Sequence, residues 1–271
     1  KVKGSWGLSL AGVCADAKTI SLFHETGHSK MSRVAILMAT YNGGRFLPAQ
    51  LASIAAQTHA EWKLWASDDG SIDDTLSQLQ TFSTKYPVSI LNGPGQGFAA
   101  NFQHLLHHPA VDGDYISFCD QDDVWHADKL TRAIAWLQRV PAEVPALYGS
   151  RANYIDEQGN ALGASTPFEA ALQFRNALVQ SFAGGNTLVM NRAAHQLLQR
   201  AGKVPIASHD WWSYQLISGA GGRVMYDATP SLDYRQHSAN IAGSNRGIVR
   251  SALRVVRLFQ GHFRAWNDIQ C

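Results

Sequence analysis

An α/β fold with a doubly wound, mostly parallel sheet is predicted by three features of the 271-residue sequence. Short apolar runs alternate with apolar-periodic helical stretches through the first half, as in βα units covered on both faces. Each run ends in polar, acidic or glycine residues, which gathers those residues beyond the carboxyl ends of the strands. A composition of 45% apolar and 16% charged residues suffices for one large core, or for a core plus a small annex.

The first run, Val34 to Ala39, reads as a strand, and Asn42-Gly43-Gly44 turns the chain into a helix through Phe46, Leu47, Leu51 and Ile54. Three more units follow: Trp62 to Ala66 with a helix from Ile72, Val88 to Leu91 with a helix from Phe98, and Tyr115 to Cys119 with a helix from Ala127 to Val140. Past Pro145 the periodicity is less regular. A hairpin is expected around Asp156-Glu157-Gln158-Gly159-Asn160, with helices near residues 168 to 178, 191 to 201 and 210 to 218.

Both ends call for separate treatment. Lys1 and Lys3 precede an uncharged, Gly- and Ser-rich run from Gly4 to Ala15, so residues 1 to 30 read as a leader outside the fold, with Met31 as the natural start. At the other end, Arg246, Arg250, Arg254, Arg257 and Arg264 interleave with Ile248, Val249, Leu253, Val256, Phe259, Phe263 and Trp266. Residues 246 to 271 are therefore expected to form a basic amphipathic helix, either lying on a membrane surface or packed on the domain with a solvated arginine face.

Net charge and cysteine usage remove several function classes. A formal net charge of +2 is too small for a nucleic-acid-binding domain. Cys14, Cys119 and Cys271 are odd in number and widely spaced, which suits neither a disulfide framework nor a zinc site and fits a reducing cytoplasm. No run of eighteen apolar residues is present to span a bilayer.

The residues at the strand ends carry the chemistry. Ser71-Ile72-Asp73-Asp74 has the form of a capping box, which would make Asp73 and Asp74 structural. Asp68 and Asp69 precede it at a strand end, where a carboxylate can accept the imino proton of a uracil or thymine ring; ordinary turn chemistry is the plain alternative. Asp120-Gln121-Asp122-Asp123 puts three carboxylates in four residues directly after an apolar strand. Such a group repels itself unless solvated or bridged by a cation, and Mg2+ or Mn2+ suits it, completing its shell with water and phosphate oxygens. A solvated acidic turn capping the next helix is the competing reading.

The pieces Ala39-Thr40-Tyr41-Asn42-Gly43, Ser67-Asp68-Asp69-Gly70-Ser71, Gly97-Phe98-Ala99-Ala100-Asn101, Asp120-Gln121-Asp122-Asp123-Val124-Trp125 and His209-Asp210-Trp211-Trp212 together resemble glycosyltransferase family 2, in that family's order, over residues 33 to about 240. Asp-Gln-Asp-Asp-Val-Trp and Tyr234-Arg235-Gln236-His237 most resemble its bacterial rhamnosyltransferase-like branch. The resemblance implies a nucleotide-diphospho-sugar transferase fold, with residues 31 to 144 as a nucleotide-binding half and 145 to 245 as an acceptor half. It implies that Thr40, Tyr41 and Asp69 hold the nucleoside, that Asp120 lies near the ribose, that Asp122 binds Mg2+ or Mn2+, and that Asn101 supports the nucleotide loop. For His237 it implies a reach to the diphosphate or the metal, the alternative being a loop hydrogen-bonding residue.

Asp210 is the candidate general base, beside Trp211, Trp212 and Tyr214, whose faces either grip a sugar or simply pack the core. Gly184-Gly185-Asn186 is expected to approach the acceptor. The activity expected on this resemblance is inverting transfer of a sugar, best rhamnose from dTDP-rhamnose, to a surface polysaccharide or lipid-linked acceptor, in the cytoplasm or at the inner face of the membrane. The alternatives are another hexosyltransferase using a UDP-sugar and a non-catalytic nucleotide-sugar-binding module. A nucleotidyltransferase would carry a basic, glycine-rich phosphate loop after its first strand, which is missing here; a glycoside hydrolase pairs carboxylates without a metal-bound diphosphate.

Overall fold

A computed structural model of the protein describes residues 32–237. The expected leader and the expected basic C-terminal helix, with its membrane contact, lie outside the described residues. In chain order the elements are β1 (Val34–Thr40), α1 (Leu47–Ala55), β2 (Trp62–Asp68), α2 (Thr75–Ser83), β3 (Val88–Asn92), α3 (Phe98–Leu106), β4 (Tyr115–Cys119), β5 (Val124–Trp125), α4 (Lys129–Leu137), β6 (Ala146–Ser150), β7 (Asn153–Ile155), β8 (Ala161–Ala164), α5 (Phe174–Ala177), β9 (Val189–Asn191), α6 (Arg192–Ala201), α7 (His209–Gly219), β10 (Arg223–Asp227) and β11 (Leu232–Arg235).

Seven strands form the main sheet in the order β10-β6-β9-β4-β1-β2-β3. Neighbours pair in parallel except at β9, which runs antiparallel to both β4 and β6. Side-chain alternation along β1 explains the two-sided burial. Val34, Ile36 and Met38 enter one core with Leu47, Leu51 and Ile54 of α1, Leu79 of α2 and Leu130, Ile134 and Leu137 of α4. Ala35 and Leu37 enter a second core with Phe102 and Leu105 of α3, Leu198 of α6 and Tyr214 and Ile217 of α7. Helices cover both faces, so the sheet is doubly wound as the sequence predicts.

A second sheet, β5-β11-β7-β8, joins the expected hairpin to two strands that the sequence pattern does not announce. Its first strand, β5, occupies residues expected to lead straight into the helix from Ala127, so α4 begins only at Lys129. The hairpin of β7 and β8 around Asp156 to Asn160 is where it was expected.

Two segments depart from the local sequence pattern. The capping box does not form: α2 begins at Thr75, while the Ser71 hydroxyl donates to Asp68 Oδ1 at 2.6 Å and accepts from Asn42 N at 2.8 Å. Already engaged, that hydroxyl leaves Asp73 to accept from Thr75 N at 3.0 Å. The helix expected over residues 168 to 178 shrinks to α5, since the Ala177 carbonyl accepts from the Trp211 indole and the Gln215 amide of α7 rather than continuing a helical ladder.

Candidate active site

Strands β1, β2 and β4 run parallel, so Thr40, Asp68 and Asp120 arrive at one edge of the main sheet. The loop after β1 is held by side chains from two other loops. Tyr41 N donates to Gln121 Oε1 at 3.0 Å, Asn42 N to Ser71 Oγ at 2.8 Å, Gly43 N to Thr75 Oγ1 at 2.9 Å and Gly44 N to Asp73 Oδ2 at 3.0 Å. With these consecutive amides satisfied inside the protein, the glycine turn is no phosphate cradle, which disfavours the nucleotidyltransferase reading. Tyr41, 59% exposed, stands out from this fixed loop as an open aromatic face.

Asp68 is buried and structural: its carboxylate accepts from Thr40 Oγ1 at 2.9 Å and from Ser71 N at 2.8 Å. Thr40 was expected to hold the nucleoside. Its side chain is buried against Asp68, so its part is to support that carboxylate from behind. Asp69 reaches the other way, accepting from Gly95 N and Gly97 N at 3.0 Å each, and so shapes the loop leading into α3. Gly97 begins that helix with φ of 87°, a conformation that favours glycine. Asn101 is likewise buried beneath the site, its Nδ2 donating to the Ser67 carbonyl at 2.8 Å.

The acidic loop after β4 joins the second sheet. In the antiparallel pairing of β5 with β11, Asp233 faces Val124, so the residues after Asp233 run back past those before Val124. Arg235 N accordingly donates to Asp123 Oδ1 at 3.2 Å, and Arg235 Nε to the Asp122 carbonyl at 3.0 Å. Two residues on, His237 Nε2 lies 2.7 Å from Asp122 Oδ2, across 115 residues of sequence. The Phe46 ring flanks this pair, 5.0 Å from the His237 ring and 5.0 Å from the Arg235 guanidinium.

The three carboxylates differ. Asp123 is fully buried, accepts from Asn186 Nδ2 and has its acidity weakened by burial and then by Asp122 and Asp120. Asp120 is raised to about 7 by burial, then by the like charges of Asp122 and Asp210. Lys129, also fully buried, donates to the Asn186 carbonyl at 2.8 Å with its ammonium 4.5 Å from the Trp125 ring centre. Burial lowers Lys129 to about 7, opposed by Cys119, Asp123 and Asp120. The solvated acidic turn is thus excluded for Asp123.

Asp210 lies in the first turn of α7, whose cap position is held by Ser208, so Asp210 is not the cap. Its Oδ1 accepts from Trp211 N at 2.7 Å, and burial raises its carboxyl to about 6. The neighbouring His209 is buried in a cage of Phe98, Phe102 and Phe118 and lowered to about 3 by that burial, hence neutral. A Cβ on Gly185 would overlap the His209 ring, so this glycine allows the start of α7 to seat close. Trp211 and Tyr214 are core residues.

A carboxyl raised in the folded state binds protons that the unfolded chain has released, so it lowers stability as pH rises from about 4 through 6. Comparing Asp210→Asn with the parent protein isolates this group. The difference in Tm should move in favour of the variant by a few degrees between pH 4 and pH 8, on the order of 1–3 kcal/mol. A pH-independent difference would contradict the raised pKa of Asp210.

The sequence pattern of the family described as "Glycosyl transferase family 2" matches residues 35–198. The dTDP-rhamnosyl transferase RfbG of Shigella flexneri is 31% identical over 225 residues, 77% of this chain and 74% of that protein. The UDP-Glc:alpha-D-GlcNAc-diphosphoundecaprenol beta-1,3-glucosyltransferase WfgD of Escherichia coli is 28% identical over 159 residues, 59% of this chain and 60% of its own length. Among solved structures, S. aureus TarS 1-349 in complex with UDP-GlcNAc is similar with a TM-score of 0.58 and 17% identity, covering 83% of this chain and 66% of TarS 1-349. The mannosyltransferase PcManGT from Pyrobaculum calidifontis, in complex with GDP-Man and Mn2+, gives 0.55 and 20%, covering 87% of this chain and 65% of its own. This chain therefore spans less than two thirds of WfgD and of both structural neighbours.

Proposed function

The chain belongs to glycosyl transferase family 2, and from that premise we propose that it transfers a sugar, with inversion, from a nucleotide-diphosphate donor to a saccharide or lipid-linked saccharide acceptor. The observation that carries this reading is the meeting of Asp122 with His237 at the sheet edge that also presents Tyr41 and Asp120, with Asp210 close enough to raise Asp120.

Tyr41 stacks on the base, and Asp69, whose oxygens each retain a lone pair, accepts its imino proton. Asp120 faces the ribose. The donor set of Asp122 and His237, one carboxylate and one imidazole, suits a Mg2+ or Mn2+ ion that fills its remaining positions with water and diphosphate oxygens. When bound, that ion neutralises charge on the departing diphosphate. Asp210 takes the proton of the acceptor hydroxyl as it attacks the anomeric carbon opposite the leaving group. Neutral His209, locked among three phenylalanines, keeps the start of α7 and therefore Asp210 in place.

Rhamnose from dTDP-rhamnose is the favoured donor, supported by the similarity to RfbG over three quarters of both chains. A hexose from a UDP-sugar is the second reading, supported by the similarity to WfgD. Thermal stabilisation with and without Mn2+ against dTDP-rhamnose, UDP-glucose, UDP-galactose and GDP-mannose separates them. dTDP-rhamnose with Mn2+ should raise Tm most; a larger rise with a UDP-sugar would reassign the donor, and a rise with none would contradict nucleotide-sugar binding. Release of nucleoside diphosphate on adding acceptor then distinguishes an enzyme from a non-catalytic binding module.

A further inference from the structure

Resting on the reading of this cleft as a nucleotide-sugar site, we propose that Gln121 is a positioning residue for the donor nucleoside, its amide latching the Tyr41 platform to the loop that bears Asp122. Gln121 Oε1 accepts from Tyr41 N at 3.0 Å and Gln121 Nε2 donates to the Tyr41 carbonyl at 3.1 Å. One primary amide thus grips both polar groups of a single residue, as a neighbouring strand would. The chain positions on either side of Gln121 are Asp120 and Asp122, so the backbone that carries the two carboxylates also carries the latch.

The opposite side of the latch explains a second residue. Gly43 has no positive φ, yet a Cβ there would overlap Gln121 Oε1 and its amide carbon. Glycine is required at this position for the close approach of the Gln121 amide and not for backbone conformation. Asn42, between them, is held at φ of 46°, its Oδ1 accepting from Ile72 N at 2.9 Å. The loop is therefore tied to β2's end by Asn42 and Ser71 and to the acidic loop by Gln121 alone among the described hydrogen bonds of Tyr41. Without that tie, Tyr41 would have to be ordered at the moment a base stacks on it, and affinity would fall by that ordering cost.

The test is calorimetric binding of dTDP and UDP in Mn2+, beside binding of Mn2+ with inorganic pyrophosphate, which engages the metal side but has no base. Gln121→Leu keeps similar bulk and loses both hydrogen bonds; Gly43→Ala displaces the same amide from the other side and stands in should Gln121→Leu fail to fold. Each should weaken nucleotide binding by about fivefold or more, the worth of one to two ordinary hydrogen bonds, and leave pyrophosphate binding within about twofold. In a Tyr41→Ala background, Gln121→Leu should add less than about twofold, because the platform it positions is gone. Equal losses for nucleotide and pyrophosphate, undiminished nucleotide affinity in the single variants, or effects of Gln121→Leu and Tyr41→Ala that simply add would overturn the proposal. Failure of the parent protein to bind either nucleotide is a separate result, and it would overturn the nucleotide-sugar reading on which the latch depends.

Discussion

Replacing Asp210 by Asn is expected to leave the fold and donor affinity intact and to lower kcat by about 10²- to 10⁴-fold, the range typical of a lost general base. An acceptor alcohol is a weak nucleophile at neutral pH, and in the proposed reaction Asp210 is the carboxylate that activates it. Burial holds its acidity near pH 6, which leaves it ionised at neutral pH yet more basic than an exposed aspartate. Its backbone role is modest: Ser208 holds the cap position, and Asp210 sits within the first turn with one oxygen on Trp211 N. Asparagine can keep that hydrogen bond while giving up the proton acceptor. Because the effect is on the chemical step, kcat and kcat/KM should fall together. The same acidity predicts that kcat of the parent enzyme declines below about pH 6 as Asp210 takes up its proton, and that residual turnover of the variant lacks this limb. Turnover of Asp210→Asn within tenfold of the parent would leave the base to be sought elsewhere.

Chelation of divalent ions, or Asp122→Ala, should reduce turnover by roughly 10²-fold or more, since several kcal/mol of charge stabilisation at the leaving diphosphate would be lost. Here the defect should also appear in donor binding. Thermal scans with dTDP-rhamnose would show no Mn2+-dependent stabilisation in the variant, while the parent protein shows it. Full activity in EDTA, with no metal in the purified protein, would contradict the role assigned to the Asp122–His237 pair.

The parts of this arrangement that were legible in the sequence are those set by local pattern. The strands β1 to β4 are apolar runs ending in polar residues, and their parallel pairing brings Thr40, Asp68 and Asp120 to one edge as the alternation with helices implies. Hidden from such reading was the second sheet, whose strand β5 has two residues and whose pairing with β11 joins segments more than a hundred residues apart. That register, not any local signal, seats His237 on Asp122. Thr40 and Asn101 were legible as polar residues at the right places but not as buried supports, because the orientation of each is decided by Asp68 and by the Ser67 carbonyl. The capping form of Ser71 to Asp74 misled for the same reason: a hydroxyl has few bonds to make, and Asp68 and Asn42 claim them first. Lys129 carried no signal beyond its position in a helix, and Asn186, legible only as part of a glycine turn near the acceptor, donates to Asp123 while its carbonyl accepts from Lys129.

The most direct measurement is a crystal structure of the protein with Mn2+ and the nucleoside diphosphate of its donor. The metal should be bound by Asp122 and His237 and by diphosphate oxygens, the base should stack on Tyr41, and the Asp210 carboxylate should face the space where the sugar would sit. A nucleotide seated away from this edge, or a metal held without Asp122 and His237, would overturn the proposed function.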